Sequence, residues 1–254
     1  MKKLISTGDK FYSLLLVVAV IILWQISLSV GWINNFVLPY PMDVVTTLYD
    51  IRWELLNNLL VTLEEALIGL VIAIIIAVLI AFLMDQFIKI KKALFPLLII
   101  SQTVPVILLA PLFAMWFGFG ITAKIVVVVV TCFFPIVVSL LQGLESVDID
   151  EINLLKSMGA SKYQIFKIVK VPSSMIAFFS GLKVAATYSF MGAVVSEWMG
   201  GRKGLGIYFL RAKKSFDINR VFAIVLVIII VSILIYYTVS KLQAITTSWN
   251  NNDH

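Results

Sequence analysis

Long apolar runs separated by short polar stretches dominate the pattern of this chain. An α-helix needs about 20 residues to cross about 30 Å of hydrocarbon, and six runs reach that length. They are 11–30, 59–84, 93–117, 121–141, 176–195 and 221–239. Because backbone polar groups in lipid must be paired within their own segment, we expect each run to be a helix. The pattern predicts an all-α membrane protein, with six transmembrane helices in one domain over residues 1–254.

The composition agrees with this prediction. Of the 254 residues, 61% are hydrophobic and 13% are charged, whereas a soluble domain is nearer half apolar and a quarter charged. The excess of apolar side chains is expected to face membrane lipid. The net charge of +6 does not indicate a nucleic-acid partner, because the basic residues cluster at the ends of the apolar runs.

The distribution of lysine and arginine predicts the orientation, because cytoplasmic loops carry an excess of both. One side of the predicted topology carries Lys2, Lys3, Lys10, Lys89, Lys91, Lys92, Lys156, Lys162, Lys167, Lys170 and Lys241. The other side carries fewer: Arg52, Arg202, Lys203, Arg211, Lys213 and Lys214. Both termini are therefore expected in the cytoplasm. The first run is too long for the apolar part of a signal peptide and is predicted to remain as a span.

A polar insert lies between the fourth and fifth runs, on the side assigned to the cytoplasm. Its first part begins at Asp148, with Glu151 at capping-box spacing. Apolar residues then recur at helical spacing, at Ile149, Ile152, Leu155 and Met158. Gly159 stands where a left-handed residue would end that helix. The pattern predicts a short helix followed by a tight turn.

The second part of the insert predicts another short helix. Ser161 and Gln164 form a second capping-box spacing. Tyr163, Phe166 and Val169 form its apolar stripe, and Pro172 is expected to close it. Each helix is marginal alone, so its stripe must pack on something. The stripes either pack on this protein's own helix ends or are presented to a soluble partner.

The spacing of the insert resembles the coupling loop of bacterial ABC-importer permeases. That pattern is Glu-Ala-Ala, three residues, Gly, nine residues and Ile-x-Leu-Pro. Here Gly159 is followed by nine residues and then by Val169, Lys170, Val171 and Pro172. Asn153, Leu154 and Leu155 stand at the Glu-Ala-Ala positions, which is a departure from the pattern.

The resemblance extends over most of the chain, to a subgroup that imports nitrate, sulfonates, taurine, riboflavin and the pyrimidine precursor of thiamine. The similar fragments are Leu38-Pro39-Tyr40-Pro41, Trp116-Phe117-Gly118-Phe119-Gly120, Phe133-Phe134-Pro135, Gly143-Leu144, Glu197 and Gly204-Leu205-Gly206. The resemblance implies a type I importer permease fold in a bacterial plasma membrane. It also implies a cytoplasmic ATPase dimer, an extracytoplasmic binding protein and a second copy of this chain as partners.

The resemblance places a coupling loop over residues 144–174, with its tip in a groove of the ATPase. The implied coupling residues are Leu155, Met158, Gly159, Ala160, Ser161, Tyr163 and Pro172. ATP and magnesium would be bound by the partner, so this chain is expected to hold no cofactor. Consistently, the sequence contains no Gly-x-x-x-x-Gly-Lys-Ser/Thr phosphate loop. Residues 201–206 have glycines in the wrong order for a dinucleotide site and predict a flexible turn.

The candidates for the substrate pathway are polar residues inside apolar runs. Ser101, Gln102 and Thr103 lie in the third run near Pro105, and Tyr188 and Lys183 lie in the fifth. Such residues either line a pathway or hold helices together by hydrogen bonds. Pro96, Pro105 and Pro111 favour a packed third helix, because lipid does not satisfy the backbone groups that proline frees.

A basic loop over residues 202–214 is expected outside the cell. Its residues Arg211, Lys213 and Lys214 either dock acidic surface of a binding protein, steer an anionic cargo or are simply solvated.

Two other function classes use different residues. An ion-gradient transporter needs a charge deep in the bilayer, for which Lys183 is the candidate. An intramembrane enzyme would use Glu64 and Glu65, but position 69 is glycine where an arginine is needed and His254 is the sole histidine. The alternative is that both glutamates are helix N-terminal charges at the outer interface. We expect no catalytic residue and no metal site, and Cys132 alone cannot form an internal disulfide.

Overall fold

The structure is a computed structural model that describes residues 7–247, with side chains described at residue 12 and from 15 to 247. Lys2, Lys3 and His254 lie outside the described residues. The helices are α1 (Thr7–Ser29), α2 (Pro41–Asp50), α3 (Arg52–Gln86), α4 (Ile88–Ser101), α5 (Val106–Phe117), α6 (Ile121–Glu145), α7 (Ile149–Ser157), α8 (Lys162–Ile165), α9 (Val171–Glu197), α10 (Leu205–Lys214) and α11 (Ile218–Thr246). A π-helical segment, Phe166–Lys170, joins α8 to α9. The all-α class is confirmed.

Four helical stretches in the described range are long and apolar enough to cross a membrane. They are Arg52–Gln86, Ile121–Glu145, Lys162–Glu197 and Ile218–Thr246. The pair α4 and α5 makes a fifth candidate, and Leu15–Ser29 of α1 is a shorter apolar helix. The predicted total of six spans therefore stays a prediction.

The third predicted span, 93–117, is not one continuous helix. The chain leaves the helix after Ser101, resumes it at Val106 and bends by 103° between the two parts. Pro105 is the N-cap residue of α5, in an extended conformation with φ −62° and ψ 125°. Because proline lacks an N–H and clashes with the preceding turn, it ends one helix and begins the next. The prolines inside α4 and α5, Pro96 and Pro111, are tolerated within their helices.

Pro172 does not close the second short helix, which is a correction to the sequence prediction. The helical path continues from Lys162 through the π-helical segment into α9. Pro172 is the second residue of α9, directly after the π-helical segment, so it stands inside a continuous helical path and does not end it. The fifth span therefore begins well before residue 176.

The larger packing unit of the described chain comprises residues 57–207 and 228–247. Within it, α6 and α9 pack closely because small residues let their backbones approach. A Cβ atom added at Gly181 would clash with the carbonyl oxygen of Pro135, and one at Gly143 would lie 2.7 Å from Cβ of Ala177. A Cβ atom added at Gly69 of α3 would likewise clash with the Val128 side chain of α6. The buried core of α6 includes Val128, Cys132, Ile136, Val137, Leu140 and Leu144.

The smaller unit comprises residues 7–56 and 208–227. The indole N–H of Trp24 donates to the carbonyl of Pro39 at 2.9 Å, which closes the connection between α1 and α2. The Tyr208 hydroxyl donates to Glu54 Oε2 at 2.6 Å. Burial is the main reason why the pKa of the Tyr208 hydroxyl lies above its ordinary value. The hydrogen bond to Glu54 raises this pKa further.

Candidate functional site

Residues 148–165, which we name the α7–α8 segment, adopt the helix, turn and helix that the sequence predicts. The Asp148 side chain caps α7 and accepts from the Asp150 N–H at 2.9 Å. The cap is therefore present, but the donor is the Asp150 N–H rather than a reciprocal pair with Glu151. At the other helix, Ser161 and Gln164 form the predicted capping box, with bonds of 2.7 and 3.3 Å.

The turn between the two helices depends on Gly159, whose φ is +82°. The Gly159 N–H donates to Lys156 O and the Ala160 N–H donates to Leu155 O, each at 3.0 Å. These bonds satisfy carbonyls that the helix end leaves open. A left-handed φ is strained for residues with a Cβ, so glycine suits this position. The predicted C-cap is confirmed.

The two apolar stripes of the segment have different surroundings. No residue of α7 is buried, and Ile149, Leu154 and Met158 are 71, 62 and 74% exposed. Leu155 and Ala160 are half-buried. In the second stripe, Tyr163 is 69% exposed while Val169 is buried. The second stripe therefore packs on its own chain at its base, whereas the first stripe is half-buried at Ile152 and Leu155 and exposed at Ile149 and Met158.

A cavity of about 470 Å³ lies between α5, α6 and α9. Its described lining residues are Val106, Ile107, Thr131, Tyr188, Met191, Gly192, Val195 and Trp198. Tyr188 was predicted for the pathway, and it lies here with the start of α5. The cavity carries no charged side chain among these residues, and aromatic and aliphatic groups form most of its wall.

The other predicted pathway residues lie elsewhere. Ser101, Gln102 and Thr103 are exposed at the break between α4 and α5. The hydroxyls of Ser101 and Thr103 each donate to a carbonyl within their own helix end at 2.7 Å. Lys183 is half-buried, with its ammonium 5.9 Å from the ring centre of Tyr236 in α11. Neither group is among the described residues that line the cavity.

A buried hydrogen-bond network joins the end of α9 to α3. Glu197 is fully buried, and its Oε1 accepts from the Thr62 hydroxyl at 2.6 Å. Its Oε2 accepts from the Gly206 N–H, and the Thr62 hydroxyl oxygen accepts from the Leu205 N–H at 2.9 Å. Asn58 Oδ1 accepts from the Gly204 N–H at 2.9 Å. The network fixes both ends of the turn that leads into α10.

The turn predicted over residues 201–206 is present, but hydrogen bonds hold its end at residues 204–206 in place. Gly204 has a φ of +119°, and a Cβ there would overlap the Glu197 carboxylate. A Cβ at Gly206 would overlap the carbonyl oxygen of Val194. These two glycines are required because the backbone passes directly against a buried carboxylate and against α9.

The two adjacent glutamates of α3 have separate surroundings. Glu65 is 2% exposed and accepts from Lys124 of α6 at 2.6 Å, whereas Glu64 is exposed. Because α3 begins at Arg52, neither is an N-terminal charge of its helix, which corrects that interpretation. Glu65 is instead half of an ion pair inside the helix bundle. Among the described residues, no group of three His, Cys, Asp or Glu is placed to hold a metal.

The basic stretch 202–214 is mostly helical, which corrects the prediction of a loop. Residues Leu205–Lys214 form α10, and Arg211, Lys213 and Lys214 are exposed in its last turn. Cations at this end of a helix interact favourably with its dipole.

The sequence of residues 69–247 matches the family of binding-protein-dependent transport system inner membrane components. The chain belongs to this family. Because the match covers most of the chain, the transport function that the resemblance implied is confirmed, and the relatives described below support the subgroup. The permease is a membrane subunit of an ABC importer, a class that works with an ATPase and a substrate-binding protein.

Two relatives and one solved structure illustrate the likeness. The formylaminopyrimidine transport permease protein ThiX of Halalkalibacterium halodurans is 36% identical over 230 residues, covering 90% of this permease and 91% of that protein. The putative aliphatic sulfonates transport permease protein SsuC of Bacillus subtilis is 27% identical over 241 residues, covering 94 and 87%. The MetNI methionine ABC transporter in an inward-facing form matches with a TM-score of 0.69 and 17% identity, covering 78% of this permease and 98% of that chain. At that identity the likeness shows the type I fold alone.

Family membership removes the two other function classes considered for the sequence. An ABC importer permease is a transport subunit without an active site of its own, so Glu64 and Glu65 are not an enzyme's carboxylate pair. Energy comes from an ATPase chain, so Lys183 is not needed as an ion-coupling charge.

Sequence reasoning missed the part played by Glu197 in the permease. The available signal was a single acid at the end of an apolar run, followed by closely spaced glycines at 204 and 206. A buried acid needs donors, and backbone N–H groups of glycines can approach it closely.

Proposed function

We propose that this permease works as a homodimer in which the α7–α8 segment of each copy docks into one subunit of a cytoplasmic ATPase pair. Closure of the ATPases on ATP would push the tip around Gly159, and the attached helices would open the pathway alternately on each side. Such a switch moves rigid, packed elements between two arrangements.

The exposed apolar surface at the tip is the observation that carries this proposal. Met158 and Tyr163 flank Gly159 and Ala160, and both are more than two-thirds exposed. A helix with no buried residue gains little from its own fold, so its stability requires a partner surface. Leu155, Ser161 and Tyr163 would line the contact with Met158, Gly159 and Ala160. Pro172 would contribute at the base, as the first turn of the helix that carries the movement.

The orientation follows from the same proposal. ATP is cytoplasmic, so the α7–α8 segment lies on the cytoplasmic side. If α9 and α11 each cross once, the chain returns to this side after α11. With α1 as a sixth crossing, the N-terminus also lies in the cytoplasm. The excess of lysine on this side supports the assignment.

The proposed dimer matches the number of coupling tips to the number of ATPase grooves. One chain offers one coupling tip, whereas an ATPase pair offers two grooves. The cavity lined by Tyr188 is also open, so a second copy facing it would complete the wall of a pathway. The exposed basic residues of α10, Arg211, Lys213 and Lys214, would then meet the extracytoplasmic binding protein.

We propose a small aromatic heterocycle of the pyrimidine kind as the cargo. The cavity offers Tyr188 and Trp198, on which a flat ring can stack, and its described lining is uncharged. The name of the relative ThiX supports the same chemistry. A small sulfonate is the second candidate, because an open cleft of about 640 Å³ is lined by Arg202 and Lys203 as well as by Lys124, whose charge is paired with Glu65. Cations of this kind attract an anion at the mouth of a pathway.

Reconstitution with the cognate ATPase and binding protein tests the coupling proposal. ATP-driven uptake into proteoliposomes is measured for the wild type, for Ala160→Glu and for Ala244→Glu. Ala244 is an exposed alanine near the end of α11, so it controls for the added charge. Loss of uptake in Ala160→Glu alone is expected, and normal uptake by that variant would overturn the proposal.

ATP hydrolysis by the same reconstituted complex distinguishes the two candidate cargoes. The binding protein is added with either formylaminopyrimidine or an aliphatic sulfonate, and the stimulation of the ATPase is compared between the two ligands. Stimulation by the pyrimidine alone is expected, whereas stimulation by the sulfonate alone would assign the second candidate.

A further inference from the structure

The end of α3 holds the π-helical segment through a buried ion pair. The ammonium of Lys170 donates to Asp85 Oδ1 at 2.6 Å, and these residues are 85 positions apart. The Asp85 side chain is 3% exposed and that of Lys170 is 23% exposed. A carboxylate this deeply buried requires its cation, because an unpaired charge in a protein interior is strongly unfavourable. The contact therefore links α3 firmly to the base of the α7–α8 segment.

A second contact lies one turn away from the first. The rings of Phe82 and Phe166 meet edge to face, with centroids 5.1 Å apart and planes at 84°. This arrangement is favourable for aromatic pairs beyond the area that they bury. Phe166 and Lys170 are the first and last residues of the π-helical segment. The end of α3 thus contacts both ends of that segment, and we name the two contacts the 85–170 latch.

The latch holds the segment that connects α8 to α9, through which a movement of the tip must pass. The π-helical segment joins α8, which is only four residues long, to α9, which has 27 residues. π-Turns interrupt the regular α-helical hydrogen-bond ladder and are frequent at functional sites. A push on the tip near Gly159 must pass through this turn to reach α9. A turn that could deform freely would absorb part of the displacement.

We propose that Asp85 and Lys170 are positioning residues for energy coupling, which make α3 move together with the coupling tip and α9. This inference rests on the proposed docking of the α7–α8 segment. The latch fixes the π-helical segment to a second transmembrane helix, so a displacement of the tip is delivered to α3 and α9 together. Without the latch, ATP hydrolysis continues but less of the movement reaches the pathway.

The alternative is that the ion pair only holds the fold together. The two roles differ in the ratio of solute transported to ATP hydrolysed. A purely structural contact lowers the amount and the thermal stability of the complex and leaves that ratio unchanged. A coupling contact lowers the ratio in complexes that are correctly assembled.

The test is the transport ratio of the reconstituted complex, measured with the wild type, Asp85→Asn and the exchange Asp85→Lys with Lys170→Asp. Glu64→Gln is the matched control, since it is the same kind of change at an exposed position of the same helix. For Asp85→Asn we expect the ratio to fall about tenfold, the size typical of changes along a coupled network. The exchange is expected to recover most of it, and Glu64→Gln is expected to match the wild type.

Asp85→Glu provides a second measurement if Asp85→Asn assembles poorly, because it retains the charge and is expected to keep a ratio near that of the wild type. Ala160→Glu is measured alongside. If Ala160→Glu leaves uptake intact, the docking proposal itself fails. If Ala160→Glu abolishes uptake while Asp85→Asn and the exchange keep the wild-type ratio, the latch alone is overturned. Equal losses of uptake and hydrolysis in all Asp85 variants would likewise overturn it.

Discussion

Thr62 and Glu197 lie 135 positions apart in the sequence, and the hydroxyl of Thr62 donates to Glu197 Oε1 at 2.6 Å. Both residues are fully buried. The same hydroxyl oxygen accepts from Leu205 N–H, so one side chain joins α3, the end of α9 and the start of α10. The first residues of α10, Leu205 and Gly206, are therefore held by a buried hydroxyl and a buried carboxylate.

Replacing Thr62 by valine is expected to destabilise the permease. The change keeps the shape but leaves Glu197 Oε1 and the Leu205 N–H without this partner. Each buried polar group left without a hydrogen bond costs about 1–3 kcal/mol. A lower Tm of the detergent-solubilised protein is the measurement. Thr62→Ser, which retains the hydroxyl, should keep most of the stability, and an unchanged Tm for Thr62→Val would contradict the account.

Removing Lys124 is expected to have a larger effect. Glu65 is 2% exposed, and Lys124→Gln would leave its charge without a cation. Breaking a buried pair from one side costs about 3–5 kcal/mol, whereas removing both charges is far milder. The double change Glu65→Gln with Lys124→Gln should therefore recover yield and Tm relative to Lys124→Gln alone. A double variant that is less stable than the single one would show that this explanation is wrong.

Two glycines of α9 are expected to differ in their tolerance of alanine. A Cβ at Gly181 clashes with the Pro135 carbonyl and lies 2.7 Å from Ser139 Cβ, whereas at Gly192 the nearest atom is 3.5 Å away. Overpacking of this kind costs about 1–3 kcal/mol. Gly181→Ala should lower the Tm, and Gly192→Ala, its control in the same helix, should not. Equal effects of the two changes would refute the packing described for α6 and α9.

At Gly159 the expected effect comes from the backbone alone. No atom lies within 4 Å of a Cβ placed there, but φ is +82°. Asparagine tolerates left-handed backbone far better than a β-branched residue does. Gly159→Asn should therefore retain uptake. Gly159→Val should strain the left-handed turn that ends α7 and should reduce uptake. If valine were accepted as well as asparagine, the left-handed turn would not be required.

The sequence predicted features that depend on local spacing. The cap at Asp148, the capping box at Ser161 and the turn at Gly159 each rest on a few adjacent residues, whose preferences act within one helical turn. The long apolar runs predicted helices from their length and composition, although the third run is broken before Val106.

Features that depend on contacts between distant segments could not be predicted in this way. Pro105 was placed inside one packed third helix, whereas the 103° bend depends on how two helices pack on either side of a break. Pro172 was taken as a helix end, but the helical path runs through it from the π-helical segment into α9. Glu65 with Lys124 and Asp85 with Lys170 are pairs whose partners are 59 and 85 positions apart. The glycines at 204 and 206 indicated flexibility, whereas the structure uses them for close approach to Glu197.

The most direct test of the central claim is a cross-link between the coupling tip and the ATPase. Cys132 is buried and is the sole cysteine, so Cys132→Ala gives a background free of cysteine. Met158→Cys and Phe216→Cys are then each labelled with a thiol-reactive photo-cross-linker before the importer is assembled, since both side chains are exposed in the permease. We predict an adduct with the ATPase at position 158 and none at position 216. An ATPase adduct at position 216, or none at position 158, would contradict the account.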